Sequence, residues 1–297
     1  MVRLEGIIVA MVTPMKENES IYESGLRALV NRLIDAGVHG LFCLGTTGEF
    51  YALTPEEKEC IVKVVVEEAK GRVPVYAGTG GISTREVISL TKKVQDTGVK
   101  AVSVITPYFI SPSQDELYSH YEEIARSLDI PIILYNIPMR TGVHLEAETV
   151  SMLSRIPGII GIKDSSGKFE NIMSYIELSE KDFQVLAGTD SLILDTLKAG
   201  GTGAIAATAN VVPELVVSIY ENYRNGKIVE AEAAQQKLKP LRDAFKLGTA
   251  PGVLKEAVNI AGITAGPPRK PIIRLKGEKL KELTALINQN YLKDDAK

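Results

Sequence analysis

A chain of 297 residues, 45% of them hydrophobic, is long enough to bury a sizeable core, and its 34 basic against 37 acidic side chains leave a formal charge of −3 that draws it to neither nucleic acid nor an anionic membrane surface. Two cysteines, Cys43 and Cys60, are too few for a disulfide framework and read as reduced core thiols. No apolar run approaches bilayer length and Met1-Val2-Arg3-Leu4-Glu5-Gly6 lacks a signal peptide's apolar stretch, so the cytoplasm is the expected compartment.

In chain order, short apolar runs rich in branched residues occur at 7–12, 40–44, 73–77, 101–105, 132–135, 159–163, 184–187 and 203–206. Stretches of helical period separate them. In 55–70, for example, Ile61, Val62, Val65, Val66 and Ala69 recur at three- and four-residue spacing. Thr54 is the expected N-cap of that helix, with Pro55 at its first position and Glu57 completing a capping box, so 45–53 is loop. Strand and helix alternating eight times predict an α/β chain. A closed (β/α)8 TIM barrel, whose usual core is about 250 residues, fits the count, and a doubly wound open sheet stays as the alternative because alternation does not show closure. The barrel is expected over 1–226. A C-terminal helical extension over 227–297, packed on the barrel, follows, with helices at 229–247, 252–260 and 277–289 and a solvated charged tail at 293–297.

In such a barrel the working face is the carboxyl end of the strands. The sixth run closes on Lys163, followed at once by the polar loop Asp164-Ser165-Ser166-Gly167. An amine at the end of a buried strand loses the hydration of its charged form and becomes available as a neutral nucleophile, the form that attacks ketones to give Schiff bases. Strand alternation places Lys163 on one face with Gly161 and Ile159, Gly161 leaving room beside the stem. The second run ends in Gly45-Thr46-Thr47-Gly48-Glu49, whose glycines permit a tight turn and whose amides and hydroxyls suit a carboxylate. The fifth ends in Tyr135-Asn136-Ile137-Pro138-Met139-Arg140-Thr141-Gly142. Neighbouring strands lie about 5 Å apart, so Tyr135 is positioned to shuttle protons beside Lys163, while Arg140 offers a forked, permanently charged donor to a second carboxylate. Each of these residues alone is equally compatible with a structural role.

Together, Gly45-Thr46-Thr47-Gly48-Glu49, Tyr135-Asn136-Ile137-Pro138 and Gly161-Ile162-Lys163-Asp164, in that order and at those strand ends, resemble the dihydrodipicolinate synthase/N-acetylneuraminate lyase family over nearly the whole chain. The resemblance favours closure of the barrel and implies a class I aldolase. In that reading Lys163 forms an imine with pyruvate, Tyr135 relays protons with Thr46, and the turn of Thr46, Thr47 and Gly48 holds the ketoacid carboxylate. Gly188 and Ile205 line the pocket with backbone groups. Neither metal nor dissociable cofactor is required, since the pyruvate imine on Lys163 is itself the electron sink. The resemblance further implies small-molecule ketoacid and aldehyde substrates, a homotetramer built as a dimer of dimers, and no nucleic-acid or membrane partner.

Arg140-Thr141-Gly142 resembles the synthase branch, where the arginine receives the carboxylate of aspartate semialdehyde and the product is 4-hydroxy-tetrahydrodipicolinate, on the route to lysine and diaminopimelate. Three departures weaken that likeness, and the last two of them resemble 2-keto-3-deoxy sugar acid aldolases. Phe109 stands where the synthase pattern has a tyrosine reaching across a dimer interface, Phe50 where it has a small residue, and Gly248-Thr249-Ala250-Pro251 where it has an Asn-Pro segment. Tyr108, one position before Phe109, is expected to point elsewhere along the loop. Ile82 in place of an asparagine argues against feedback by lysine. From another class, a barrel that binds a ketoacid without turnover remains as an alternative.

A metal-dependent aldolase is disfavoured because His39, His120 and His144 are dispersed. The segment 161–168 misses the phosphate-loop spacing, and Gly78-Thr79-Gly80-Gly81 lacks the third glycine of a dinucleotide turn.

Overall fold

The computed structural model describes residues 2–292, so the tail at 293–297 lies outside the described residues. Eight parallel strands, β1 (Gly6–Ala10), β2 (Gly40–Cys43), β3 (Val75–Gly78), β4 (Ala101–Ile105), β5 (Ile132–Asn136), β6 (Ile159–Asp164), β7 (Gln184–Ala187) and β8 (Gly203–Ala206), pair in sequence order, and β8 pairs with β1. The barrel is closed, and the open sheet is thereby excluded. Two strand boundaries move for identifiable reasons. β1 stops at Ala10 because the Val12 amide donates to the Asn210 side chain (3.0 Å) instead of continuing the ladder, and β3 starts at Val75 because Pro74 has no N–H to contribute.

The core has two layers. Ile8, Phe42, Tyr76, Ile133, Leu186 and Ile205 plug the barrel interior, and a larger shell lies between the strands and the surrounding helices. Strands buried on both faces read as continuous apolar runs, which is why they were visible in the sequence.

One inference about β6 is corrected. Ile132 pairs with Ile159, but the next residue, Ile133, pairs with Gly161, so Ile160 is an extra residue in β6. This β-bulge resets the alternation. Ile159 consequently packs in the outer shell while Lys163 faces inward against Phe42 and Tyr135. Gly161 serves the neighbouring strand rather than the lysine stem: a Cβ there would lie 2.3 Å from the Gln184 carbonyl oxygen.

The helix Pro55–Ala69 starts as expected, with the Thr54 side chain accepting from the Glu57 amide and the Glu57 carboxylate accepting from the Thr54 amide. It buries Ile61, Val62 and Val65 and turns Cys60 outward, so Cys60 is an exposed free thiol and not a core one. Cys43 is buried, and desolvation pushes its thiol up to about 12. The C-terminal helices are Ile228–Ala244, Ala250–Ile260 and Gly277–Asn290. The first is tied back by Gln235, which donates to the Asp190 carbonyl (3.0 Å) and accepts from the Leu194 amide (3.1 Å). Among the described residues no helix is long and apolar enough to cross a membrane.

Candidate active site

Lys163, next to last in β6, stands in register with Tyr135 of β5 on one side and Leu186 of β7 on the other. Its Nζ lies 4.2 Å from the centre of the Tyr135 ring and 5.3 Å from that of Phe42, and the residue is 4% exposed. The adjacent carboxylate, Asp164, alternates to the opposite face, where Asn136 Nδ2 (2.7 Å) and the Ser166 hydroxyl (2.6 Å) donate to it and burial holds its carboxyl above the usual range. The Lys163 amine therefore has aromatic rather than anionic neighbours. At Gly188, after β7, a Cβ would fall 2.1 Å from Ser165 Oγ and 2.9 Å from Lys163 Cε, so glycine alone lets this loop close on the amine stem. The Gly188 amide is already committed, donating to the Asp164 carbonyl at 2.7 Å.

The turn after β2 comes next to Tyr135. Thr46 Oγ1 and the Tyr135 hydroxyl are 3.2 Å apart. Left-handed backbone at Leu44 (φ 59°) and Glu49 (φ 59°) brackets the turn, a conformation uncommon for residues other than glycine. It is fixed by internal bonds from the Gly48 amide to the Gly45 carbonyl (3.0 Å) and from the Glu49 amide to the Thr46 carbonyl (3.1 Å), and by Thr13 Oγ1 donating to the Gly48 carbonyl (2.7 Å). Among the described residues, the Thr46 and Thr47 amides have no hydrogen-bond acceptor. Two such N–H groups beside two hydroxyls are the kind of donor set that suits an anion.

A cavity of about 330 Å³ opens above these groups, with Thr46, Thr47, Phe50, Tyr51, Tyr108 and Arg140 on its wall. Arg140 comes from the short helix Pro138–Thr141, and among the described residues no carboxylate lines the cavity. Tyr108 does face it, packing edge-on against Phe50 at 6.3 Å, and burial raises its phenol above the usual range. Phe109 turns away to 89% exposure with φ 81°. Thr46, Thr47 and Arg140 thus share the wall of one cavity, whereas Lys163, with Gly188 at its stem, and Tyr135 lie beside it and connect to it through the contact between the Tyr135 hydroxyl and Thr46 Oγ1. Gly48 is not on the cavity wall, and the Ile205 side chain belongs to the barrel plug.

The model of the dihydrodipicolinate synthetase family matches residues 3–290. The chain belongs to that family. It is 41% identical to the 4-hydroxy-tetrahydrodipicolinate synthase of Methanopyrus kandleri over 283 residues, 95% of this chain and 94% of the relative. Two solved structures of the dihydrodipicolinate synthetase family superpose closely. The dihydrodipicolinate synthase of Aquifex aeolicus does so with a TM-score of 0.93 at 32% identity, covering 96% of this chain and 98% of its own. YagE, a prophage protein of E. coli K12 solved in complex with pyruvate, does so with a TM-score of 0.95 at 33% identity, covering 98% and 100%.

Several contributors went unnoticed in the sequence. Phe42 forms an apolar wall beside Lys163, and Tyr51, Phe245 and Ile272 complete the cavity. Lys255 and Glu49 make a fully buried ion pair beneath the threonine turn. The available signal was a Lys255-Glu256 step inside a mostly apolar helix. Each histidine has a partner: His39 takes Glu221 (2.9 Å), His120 takes Thr84 (2.8 Å) and His144 takes Asn136 (3.2 Å). Among the described residues no three His, Cys, Asp or Glu side chains gather to hold a metal ion.

Proposed function

We propose that this chain joins pyruvate to aspartate semialdehyde, giving 4-hydroxy-tetrahydrodipicolinate, through an imine on Lys163. The observation that carries the reading is the inward-facing Lys163 amine in register with Tyr135, whose hydroxyl meets Thr46. Uncharged lysine attacks C2 of pyruvate, and loss of water leaves the imine. The free amides of Thr46 and Thr47 receive the pyruvate carboxylate. The imine nitrogen then draws electrons from C3, whose proton leaves through the Tyr135 hydroxyl towards Thr46. The enamine attacks the aldehyde carbon, Tyr135 returns a proton to the new alkoxide, and the semialdehyde's own amino group displaces Lys163 at C2, closing the ring. Arg140 receives the second carboxylate from the cavity wall. The imine serves as electron sink, so no dissociable cofactor enters this scheme.

The relative from Methanopyrus kandleri carries the synthase name, which supports this choice of aldehyde. Cleavage of a 2-keto-3-deoxy sugar acid to pyruvate and an aldehyde is the second reading, favoured by Phe50 on the cavity wall and by the exposed Phe109 in place of a hydroxyl-bearing side chain. Borohydride reduction in the presence of pyruvate, followed by peptide mapping, tests the common step. A labelled Lys163 supports both aldolase readings, and an unlabelled protein points to a barrel that binds without turnover. Parallel assays with aspartate semialdehyde and 2-keto-3-deoxygluconate then separate the two, turnover of the sugar acid alone rejecting the first.

The proposal extends to a cytoplasmic homotetramer arranged as a dimer of dimers. Its support is the exposure of Ile82, Phe109, Ile110 and Met139, large apolar side chains of the kind a subunit contact covers. Sedimentation equilibrium tests it.

A further inference from the structure

We infer that the buried pair Glu49–Lys255 is a positioning device through which the C-terminal helices set the ketoacid-binding turn at Thr46 and Thr47. The inference rests on reading that turn as the seat of the pyruvate carboxylate. Glu49 ends the turn in left-handed backbone, and its side chain and that of Lys255 are both 0% exposed. Lys255 Nζ lies 2.6 Å from Glu49 Oε1 as an ion pair. The other carboxylate oxygen, Oε2, accepts from the Arg269 amide at 2.7 Å. Lys255 Nζ in turn donates to the Pro267 carbonyl at 2.8 Å.

Arg269 fastens the far side of the same loop. Its guanidinium donates to both Glu57 oxygens (2.6 and 2.8 Å) and to the Ala52 carbonyl (2.8 Å). One side of the turn therefore presents Thr46 and Thr47 to the cavity, and the other is bolted to the segment from Lys255 to Arg269. Thr249, Ala250, Pro251 and Leu254, from the same helix or just before it, form the opposite part of the cavity wall.

Stability does not account for the arrangement, because buried ion pairs replaced by well-packed neutral side chains are often no less stable. Geometry and charge do. Glu49 is three residues from Thr46, and an unpaired carboxylate there would repel the ketoacid. Lys255 neutralises it and at the same time holds its backbone in a conformation it would otherwise leave.

The test uses full-length protein and pyruvate itself. In Glu49→Gln/Lys255→Met, which leaves no lone buried charge, melting is expected to return near that of wild type while the pyruvate concentration for half-maximal borohydride trapping rises about tenfold or more. Saturated turnover stays within about threefold, since Lys163 and Tyr135 are untouched. Glu49→Gln alone, which keeps an acceptor for Arg269, carries the same expectation for half-saturation, with melting lowered because the Lys255 charge is left unpaired, and serves if the double variant does not fold. Half-saturation equal to wild type in a folded variant overturns the positioning role, as does lost turnover at unchanged half-saturation. Wild-type protein that traps no pyruvate overturns the functional reading as well, so the two failures are told apart.

Discussion

Tyr135 and Lys163 stand opposite one another on adjacent parallel strands, with the amine nitrogen 4.2 Å from the centre of the phenol ring. Parallel pairing in register puts both side chains at one height on the inner wall, so a phenol and an amine share a single layer of the barrel.

Replacing Lys163 by alanine is expected to abolish pyruvate trapping and to lower turnover by at least about 10³-fold, since the covalent route is lost. Circular dichroism should be unchanged because no ion pair is broken. Full activity in the variant would remove the amine from the mechanism.

Tyr135→Phe removes one hydroxyl whose protein contact is Thr46 Oγ1 at 3.2 Å. Stability should fall by only about 0.5–1.5 kcal/mol, the usual net worth of such a bond, whereas kcat should drop by about 10²–10⁴-fold if the phenol carries protons. An equal loss in both measurements would mark the residue as structural.

Arg140 lines the cavity, and among the described residues no carboxylate shares that wall with it. Arg140→Ala should raise KM for aspartate semialdehyde about 10- to 100-fold, the worth of a charge-assisted contact, and leave pyruvate trapping at Lys163 unaltered. A change in trapping would place the arginine at the wrong substrate.

His120 gives a pH test. Burial lowers its imidazole from the ordinary 6.5 to about 4. The unfolded chain takes up this proton below about 6.5 and the folded chain only below about 4, so the contribution to stability is complete at neutral pH and is lost as pH falls through that window. Urea midpoints between pH 4 and 7 should show wild type losing up to about 3 kcal/mol relative to His120→Gln. Parallel curves for the two proteins would contradict the buried neutral imidazole.

Thiol counting checks the packing around β2. Native protein should react with one equivalent of maleimide, at exposed Cys60, and unfolded protein with two, because Cys43 is buried and its thiol is pushed up to about 12.

The barrel was legible because strands covered on both faces leave apolar runs that helical stripes cannot imitate, and Lys163 stood out by ending one. Only the place of Ile159 on the face of Lys163 was misread, since the bulge at Ile160 has no signature in a string of isoleucines. The direction of Tyr108 was likewise hidden: Phe109 adopts φ 81°, and the alternation that governs a strand does not carry through such a turn. Glu49 and Lys255 lie more than two hundred residues apart, and only the folded chain brings them to 2.6 Å.

The extra residue in β6 has a consequence for how the chain tolerates change. Removing Ile160 would let Ile159 and Gly161 follow Ile132 and Ile133 one for one, with Ile159 still in the outer shell and Lys163 still opposite Tyr135 on the inner wall. The bulge therefore gives β6 one residue of slack: a single deletion between Ile159 and Lys163 is absorbed by its loss with the amine still facing the lumen, and only a second deletion would turn the amine outward.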